Sequence, residues 1–441
     1  MTFSESSGTP DLLDIESVDQ EGRGVGRSAG KVLFVEGGIT GERVAYRVFQ
    51  TRSRHEFAAA THIHRESVLR VKPKCPYFER CGGCSMQHIG ERAQVAIKQR
   101  ILEDNLKRLG GVVPEEMLPP IHGPAWSYRA RARLSVRFVK KRDEVLIGFN
   151  DRMSHHVVDM HSCAILPVHV SEALTPLRAL LAQFDSRAVI PQVEISVGDD
   201  ATVFLIRNLE PLTAEECNLL EQFGRERDIG IYLQPKGPKS IHPLGSQPKQ
   251  LSYDLAEFGV TIKFGPQDFT QINYAVNRVL IRRALSLLGP EEGDRIGDLF
   301  CGLGNFSLPL ARRGAWVAGV EGGQGMVEKA RENARANVLD KRVRFHVANL
   351  SEMTSDTWAT LGRVYKLLID PPRQGAAAVV GTLPQEQIRR IVYVSCNPAT
   401  LARDAGILVR DKGYRLAAAG VVNMFPHTAH VESIALFERL Q

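Results

Sequence analysis

The sequence predicts a multidomain α/β chain in three parts: a small N-terminal β-barrel, a central α+β region, and a C-terminal, mainly parallel sheet flanked by helices. Three observations carry this. The chain has 441 residues, more than one hydrophobic core serves, so about two to four domains are expected. Short β-rich runs with glycine punctuation crowd the segment from Asp11 to Arg70, and regular strand and helix alternation begins near Phe264. With 43% hydrophobic and 24% charged residues the composition is that of a globular protein, which excludes disordered, collagen-like and disulfide-dense classes. The expected boundaries are 8–70, 71–262 and 263–441.

Residues 1 to about 10 are polar and expected to fray. Beyond them, Gly22 to Gly26, Lys31 to Val35 and Arg43 to Phe49 read as short strands separated by glycine turns, the pattern of a small barrel. In the last run, alternation puts Val44, Tyr46 and Val48 on one face and Arg43 and Arg47 on the other. The stretch Gly41 to Arg142 carries 21 Lys+Arg against 9 Asp+Glu, whereas the whole chain is only +6. A basic part joined to a mildly acidic remainder suggests a polyanion-binding region attached to one with another job.

In the central region Cys75, Cys81 and Cys84 crowd together, and Cys163 follows 79 positions later. Four thiolates can close a tetrahedral site. Structural zinc usually shows paired C-x2-C knuckles, while three plus one is frequent among iron–sulfur clusters, so the spacing favours a cluster and leaves zinc open. Seven cysteines, an odd number, do not make a disulfide framework, and a reducing cytoplasm is expected. Glu91 to Leu109 reads as a helix, Arg129 to Phe138 as a half-exposed strand, and Gly230 to Gln250 as a loop or edge hairpin. No stretch approaches the roughly 18 apolar residues of a membrane span, and the N-terminus lacks the basic start and apolar run of a secretory signal.

The C-terminal part opens with a helix from Gln271 to Leu288, closed by Gly289-Pro290. Strands follow at Arg295–Phe300, Trp316–Val320, Arg342–Val347, Val364–Ile369 and Ile391–Ser395. Apolar runs of this size separated by helices indicate a buried sheet covered on both faces.

Several constellations fall at the ends of these strands. Asp298-Leu-Phe-Cys-Gly-Leu-Gly-Asn305 lies at a strand-to-helix turn, where Gly302 and Gly304 let a ligand approach the backbone. Glu321 ends the next strand, where a carboxylate can take both ribose hydroxyls, and Asn349 follows the one after, placed for an adenine. Ser307 stands where a dinucleotide fingerprint wants its third glycine. An acidic residue ahead of the glycines suits a cationic sulfonium, so the reading is S-adenosylmethionine. Asp370-Pro-Pro-Arg373 ends the fourth strand, with its carboxylate held by two prolines. Ser395-Cys-Asn-Pro398 ends the fifth, where Asn397-Pro398 should turn the chain out and expose the Cys396 thiol. Phe425-Pro-His427-Thr-Ala-His430-Val-Glu432 matches no common zinc spacing.

A chemical argument joins these parts. C5 of uracil is too weak a nucleophile to attack a sulfonium methyl, but addition of a thiolate at C6 makes C5 enolate-like. A base must then remove the C5 proton so that the thiol can leave. Cys396, Glu432 and the pocket around Gly302 and Gly304 supply thiol, carboxylate and methyl donor. Amino-group methylation needs no thiol, because the nitrogen lone pair attacks directly.

With these motifs the chain resembles the RNA uracil-5-methyltransferases, and within them the branch acting on 23S rRNA, over nearly its whole length. The residues that carry the resemblance are the run from Cys75 to His88, Asp298 to Phe306, Asp370 to Arg373, Ser395 to Asp404 and Phe425 to Glu432. It implies an OB-like TRAM barrel that binds RNA, a central domain with a [4Fe–4S] cluster on Cys75, Cys81, Cys84 and Cys163, and a Rossmann-like methyltransferase domain. It implies a methyl-donor site at Gln271, Phe300, Asn305, Glu321, Asn349 and Asp370, with Cys396 as nucleophile and Glu432 as proton acceptor. Glu36 departs from the proline of many TRAM modules, which touches RNA affinity and not the chemistry. The implied protein is a cytoplasmic monomer acting on 23S rRNA, with no membrane or DNA partner. The related tRNA enzymes generally lack the TRAM module and the cysteines, so their presence favours ribosomal RNA. A non-catalytic RNA-binding factor would need neither Cys396 nor Glu432.

Overall fold

The computed structural model describes residues 12–246, 248–384 and 387–440; the expected fraying of residues 1–10, and 8–11 of the N-terminal part, lie outside them. Six strands form the first sheet: β1 (Leu12–Asp14), β2 (Ser17–Val18), β3 (Gly24–Ser28), β4 (Lys31–Glu36), β5 (Arg43–Thr51) and β6 (His55–Arg65). Their order is β1-β5-β6-β4-β3-β2. The sheet curls around Leu13, Ile15, Leu33, Val35, Val44 and Ala58. Gly26 lets β3 approach β1 across the curl, since a Cβ there would stand 2.7 Å from the Asp14 carbonyl. The alternation expected along β5 fails beyond Val44. Bulges at Arg43/Val44, Ala45/Tyr46 and Val48/Gln50 reset the faces, so Ala45 is buried and Val48 is 38% exposed.

A helix, α1 (Glu91–Asn105), is followed by one π turn, Leu106–Gly110, and by β7 (Glu116–Met117). The central sheet comprises β8 (Arg131–Val139), β9 (Glu144–Gly148), β10 (Gln192–Val197), β11 (Thr202–Arg207), β12 (Ile229–Gln234) and β13 (His242–Pro243). Helices α2 (Val168–Ala182) and α3 (Ala214–Arg227) lie in its connections. Along β8, Ala132, Leu134 and Val136 are buried while Arg133 and Arg137 are exposed, as the period of two requires. Gly230 to Gln250, expected as a loop or edge hairpin, contains the hairpin at the edge of this sheet: β12 pairs in parallel with β11 on one side and antiparallel with the edge strand His242–Pro243 on the other. Glycine masked an apolar alternation of Ile229, Ile231 and Leu233, all buried. A hairpin of β14 (Leu251–Leu255) and β15 (Val260–Phe264) leads onward.

The C-terminal part begins with α4 (Tyr274–Leu288), three residues later than expected because the Asn273 side chain caps it by accepting from the Val276 amide; Gly289, at φ +59°, closes it. Then come β16 (Arg295–Leu299), α5 (Ser307–Arg312), β17 (Trp316–Glu321), α6 (Gln324–Ala336), β18 (Val343–Val347), α7 (Ser355–Leu361), β19 (Lys366–Ile369), α8 (Ala377–Gly381), β20 (Arg390–Ser395), α9 (Pro398–Arg410), β21 (Tyr414–Val422) and β22 (Glu432–Arg439). The strand order is β18-β17-β16-β19-β20-β22-β21-β7. Strands β16 to β20 run parallel, and β22 is antiparallel to both neighbours. The order reverses between β16 and β19, which opens a crevice at their carboxyl ends. One core cluster covers the α4 face of this sheet and continues into the central sheet; a second joins α1, α8 and α9 on the other face. Residues 91–121, assigned from sequence to the central region, thus pack with the C-terminal sheet, where β7 pairs with β21 and Ile121 bridges Val422.

Candidate active site

The carboxyl edge of the large sheet gathers the residues singled out above. After β16 the chain turns through Phe300, Gly302 and Gly304, all at positive φ (63°, 53° and 94°). Glycine meets that demand without strain, while the non-glycine Phe300 is held in a sparsely populated conformation. Glu321, ending β17, braces the turn: one carboxylate oxygen accepts from the Gly302 amide at 3.2 Å, the other from Gly322 and Gly323 at 2.8 and 3.2 Å. A carboxylate offers about four acceptor positions, so capacity for a ligand hydroxyl remains. Asp298 is fully buried, accepts from the Ser307 hydroxyl and leaves its second oxygen without a partner. Burial pushes its carboxyl up to about 7.

The remaining cofactor candidates separate. Gln271 is buried just before α4, and its side chain makes no hydrogen bond among the described residues. Asn349 is exposed, and its side-chain oxygen accepts from the Ser351 amide at 3.1 Å. Asn305 is turned toward α4: it exchanges hydrogen bonds with Asn277 at 2.9 and 3.0 Å and accepts from Tyr253 at 2.9 Å. Its amide is therefore largely committed within the protein, which the sequence did not foretell.

Asp370 ends β19 half-buried, with its backbone amide donating to the Leu299 carbonyl. Burial, and then the neighbouring Asp298, push its carboxyl up to about 7. The loop beyond is fixed from beneath by Asp404, which accepts from Tyr393 (2.7 Å), the Ala376 amide (2.8 Å) and Arg403 (2.8 Å). Gly375 in that loop has no room for a Cβ, which would meet the Asp404 carboxylate at 2.8 Å.

Cys396 and Glu432 come together through strand register. Ser395 at the end of β20 faces Ser433 on β22, so the next residues, Cys396 and Glu432, are neighbours although 36 positions apart. Asn397 caps α9 by accepting from the Ala399 amide at 3.0 Å, and Pro398 starts it, which leaves the half-buried thiol at the helix entrance. The thiol lines a surface cavity shared with Gln20, Glu21, Arg373, Asn397 and His430. Burial, then Glu432 and Asp370, push it up to about 11, while Arg373 opposes them. Glu432 is 2% exposed, and burial plus Asp370 hold its carboxyl well above the usual range. Each of these carboxyls feels the next, from Asp298 through Asp370 to Glu432, making an acidic edge suited to a cation.

Sequence reasoning missed the residues that hold the loop before Glu432. Lys98, fully buried on α1, donates to the Asn423 side chain and the Phe425 carbonyl, both at 2.8 Å. Gln94, one turn earlier, accepts from the His427 amide at 2.8 Å. Tyr128 donates to the Pro426 carbonyl at 2.9 Å, and His427, at φ +64°, lies against Trp126 with ring centres 3.9 Å apart.

Away from this edge, Cys75, Cys81, Cys84 and Cys163 line one small cavity closed by Phe78, Phe149, Met160 and Ile165. Burial raises all four thiols, Cys81 to about 11 and Cys84 to about 12. Among the described residues no three His, Cys, Asp or Glu side chains converge tightly enough for a single metal ion.

Residues 92–440 match the model of the tRNA (Uracil-5-)-methyltransferase family. The chain belongs to this family. A relative from Burkholderia pseudomallei, named 23S rRNA (uracil(1939)-C(5))-methyltransferase RlmD, is 52% identical over 99% of this chain and 96% of its own length. One of the same name from Azoarcus sp. is 54% identical over 96% and 99%. Among solved structures, Pyrococcus abyssi tRNA (uracil-54, C5)-methyltransferase in complex with S-adenosyl-L-homocysteine is similar at 26% identity and a TM-score of 0.73, covering 97% of this chain and 99% of that one. Within this family, then, a tRNA enzyme has a fold matching this chain almost end to end. The N-terminal module by itself therefore does not separate ribosomal from transfer RNA enzymes.

Proposed function

We propose that this uracil-5-methyltransferase methylates C5 of a uridine in 23S rRNA with S-adenosyl-L-methionine, through a covalent bond between Cys396 and C6. The observation that carries the reading is the placing of Cys396, just past the end of β20, beside buried Glu432 at the start of β22, at the sheet edge that bears the glycine turn. The names of the 52–54% identical relatives support 23S rRNA as the substrate. Bound S-adenosyl-L-methionine would supply an electrophilic methyl on a positively charged sulfur. Gln271, Phe300, Glu321, Asn349 and Asp370 would surround it, with Asn305 acting mainly through its bonds to α4. The target uridine leaves its stack and enters the cavity. There the Cys396 sulfur, as thiolate, forms a bond to C6 and the ring's electrons move toward C5 and O4. After C5 takes the methyl, Glu432 accepts its proton, the C5–H electrons reform the double bond, and sulfur departs. Burial suits Glu432 to this role, because a carboxylate whose proton affinity is raised is the better base.

The 8–70 unit reads as a TRAM module on RNA, 71–262 as the cluster-bearing domain and 263–441 as the catalytic domain, with residues 91–121 packed onto it. Cys75, Cys81, Cys84 and Cys163 would hold a [4Fe–4S] cluster. Four thiols around one apolar cavity fit a cubane, in which each iron takes one thiolate, better than a single ion. The chemistry above needs no redox step, so the cluster would organise the basic surface around it. No helix among the described residues is long and apolar enough to cross a membrane; a cytoplasmic monomer is the accompanying reading. The test is mass-spectrometric mapping of 5-methyluridine in rRNA and tRNA from cells with and without the gene, complemented by the wild type or Cys396→Ala. Loss of one 23S rRNA modification, restored only by the wild type, is expected. Loss from tRNA alone would assign the other substrate, and restoration by Cys396→Ala would refute the covalent route.

A further inference from the structure

The catalytic cavity has a wall that the C-terminal sheet does not supply. Gln20 and Glu21, at the tip of the hairpin joining β2 to β3, line it beside Cys396, Arg373 and His430. The hairpin is built rigidly. The Asp19 carboxylate accepts from the backbone amides of Glu21 and Arg23 at 2.9 and 2.8 Å, and from the Arg23 guanidinium at 2.9 and 2.7 Å. That guanidinium lies 5.1 Å from the ring centres of both Phe34 and Phe57. Gly22, buried at φ +83°, docks the turn: a Cβ there would stand 3.2 Å from Met86 and 3.5 Å from Ala429. Yet Gln20 and Glu21 are exposed, and neither side chain makes a hydrogen bond or ion pair among the described residues.

A fixed tip carrying two unpaired polar groups is a preorganised recognition element, since its ordering cost is met before the ligand arrives. Its chemistry selects the ligand. A carboxylate only accepts hydrogen bonds and repels phosphate, so Glu21 is matched to the N–H edge of a nucleobase and not to the sugar–phosphate chain. The Gln20 amide both donates and accepts, and can complete the reading of such an edge. We propose that Gln20 and Glu21 recognise the N–H-bearing edge of an unstacked base next to the target uridine, so that the N-terminal sheet takes part in choosing the target. This rests on the reading of the cavity as the uridine site.

The test measures kcat/KM and salt-dependent binding for wild type and Gln20→Ala/Glu21→Ala. The probes are a 23S rRNA fragment containing the methylated uridine and a set in which each neighbouring nucleotide is changed in turn. Both residues are exposed, so the variant keeps its fold. The expected result is a roughly tenfold loss of kcat/KM on the native fragment. On the one fragment whose changed base wild type already penalises, the loss is below about twofold, because the contact is already absent. The slope of log affinity against log salt stays unchanged. An equal loss on every fragment, no loss, or tighter binding with a steeper salt slope overturns the inference; the last would make Glu21 merely a repeller of phosphate. If wild type methylates no fragment, the proposed function falls first, and this inference with it.

Discussion

Replacing Glu432 by Gln separates the two halves of the proposed reaction. The carboxyl is 2% exposed, and its proton affinity is raised by burial and by Asp370. Gln keeps the volume and a hydrogen-bonding head group but cannot accept the C5 proton. The same carboxylate is one of the groups that push the Cys396 thiol up, second to burial itself, so its removal does not slow sulfur addition. Loss of a positioned base costs roughly 10²–10⁴ in rate, or about 3–5 kcal/mol of barrier. Glu432→Gln should therefore turn over roughly 10²–10⁴-fold more slowly. It should accumulate a protein–RNA conjugate that resists denaturing electrophoresis and carries one methyl per protein. The assay uses tritiated methyl donor and 23S rRNA fragment, read both as released product and as label migrating with the protein. Turnover within tenfold of wild type, or lost turnover with no labelled conjugate, would refute the assignment.

Other outcomes follow from the same geometry. Because the thiol pKa is raised to about 11, only a small thiolate fraction is present at pH 7. Glu432→Gln removes one of the groups that raise the thiol but leaves the burial, so the initial rate of conjugate formation in that variant should still rise with pH between 7 and 9; a flat profile would place the proton loss elsewhere. Lys98→Met should destabilise the protein by about 1–3 kcal/mol, measured by denaturant unfolding, because the Asn423 side-chain oxygen loses its buried donor, while the Phe425 carbonyl keeps Thr428; no measurable change would show that the loop does not depend on it. Anaerobically purified protein should be brown, with broad absorption at roughly 400 nm and bound iron and sulfide; Cys84→Ser should lose colour and iron, and a colourless wild type containing zinc would replace the cluster reading.

What could be read in the sequence were features whose physics is local. The glycine turn after β16 and the helix stop at Gly289 are stated by residue type alone, and they stand where the spacing put them. The hairpin of β21 and β22 escaped notice because Leu416 to Gly420 is rich in alanine, which favours helix, and only pairing with β22 and β7 makes it a strand. The orientation of Asn305 depends on Asn277 and Tyr253, 28 and 52 positions away, so no motif could reveal it. Lys98 did leave a trace. Gln94, Lys98 and Leu102 fall at i, i+4 and i+8 on the buried side of α1, a stripe on which a polar residue must have a partner. Lysine on a helix is ordinarily solvated, and its partners are more than 300 residues distant.

The pairing of β7 with β21 sets a timetable for biogenesis. Glu116 and Met117 leave the ribosome some 300 residues before Ala418 and Ala419, with which they align, and β22, which separates β20 from β21, is completed only at Arg439. During translation the apolar side of α1 must wait uncovered while the whole middle of the chain is made. Premature termination before α9 and β21 leaves that surface bare, so such truncated products should be prone to capture by chaperones or to degradation.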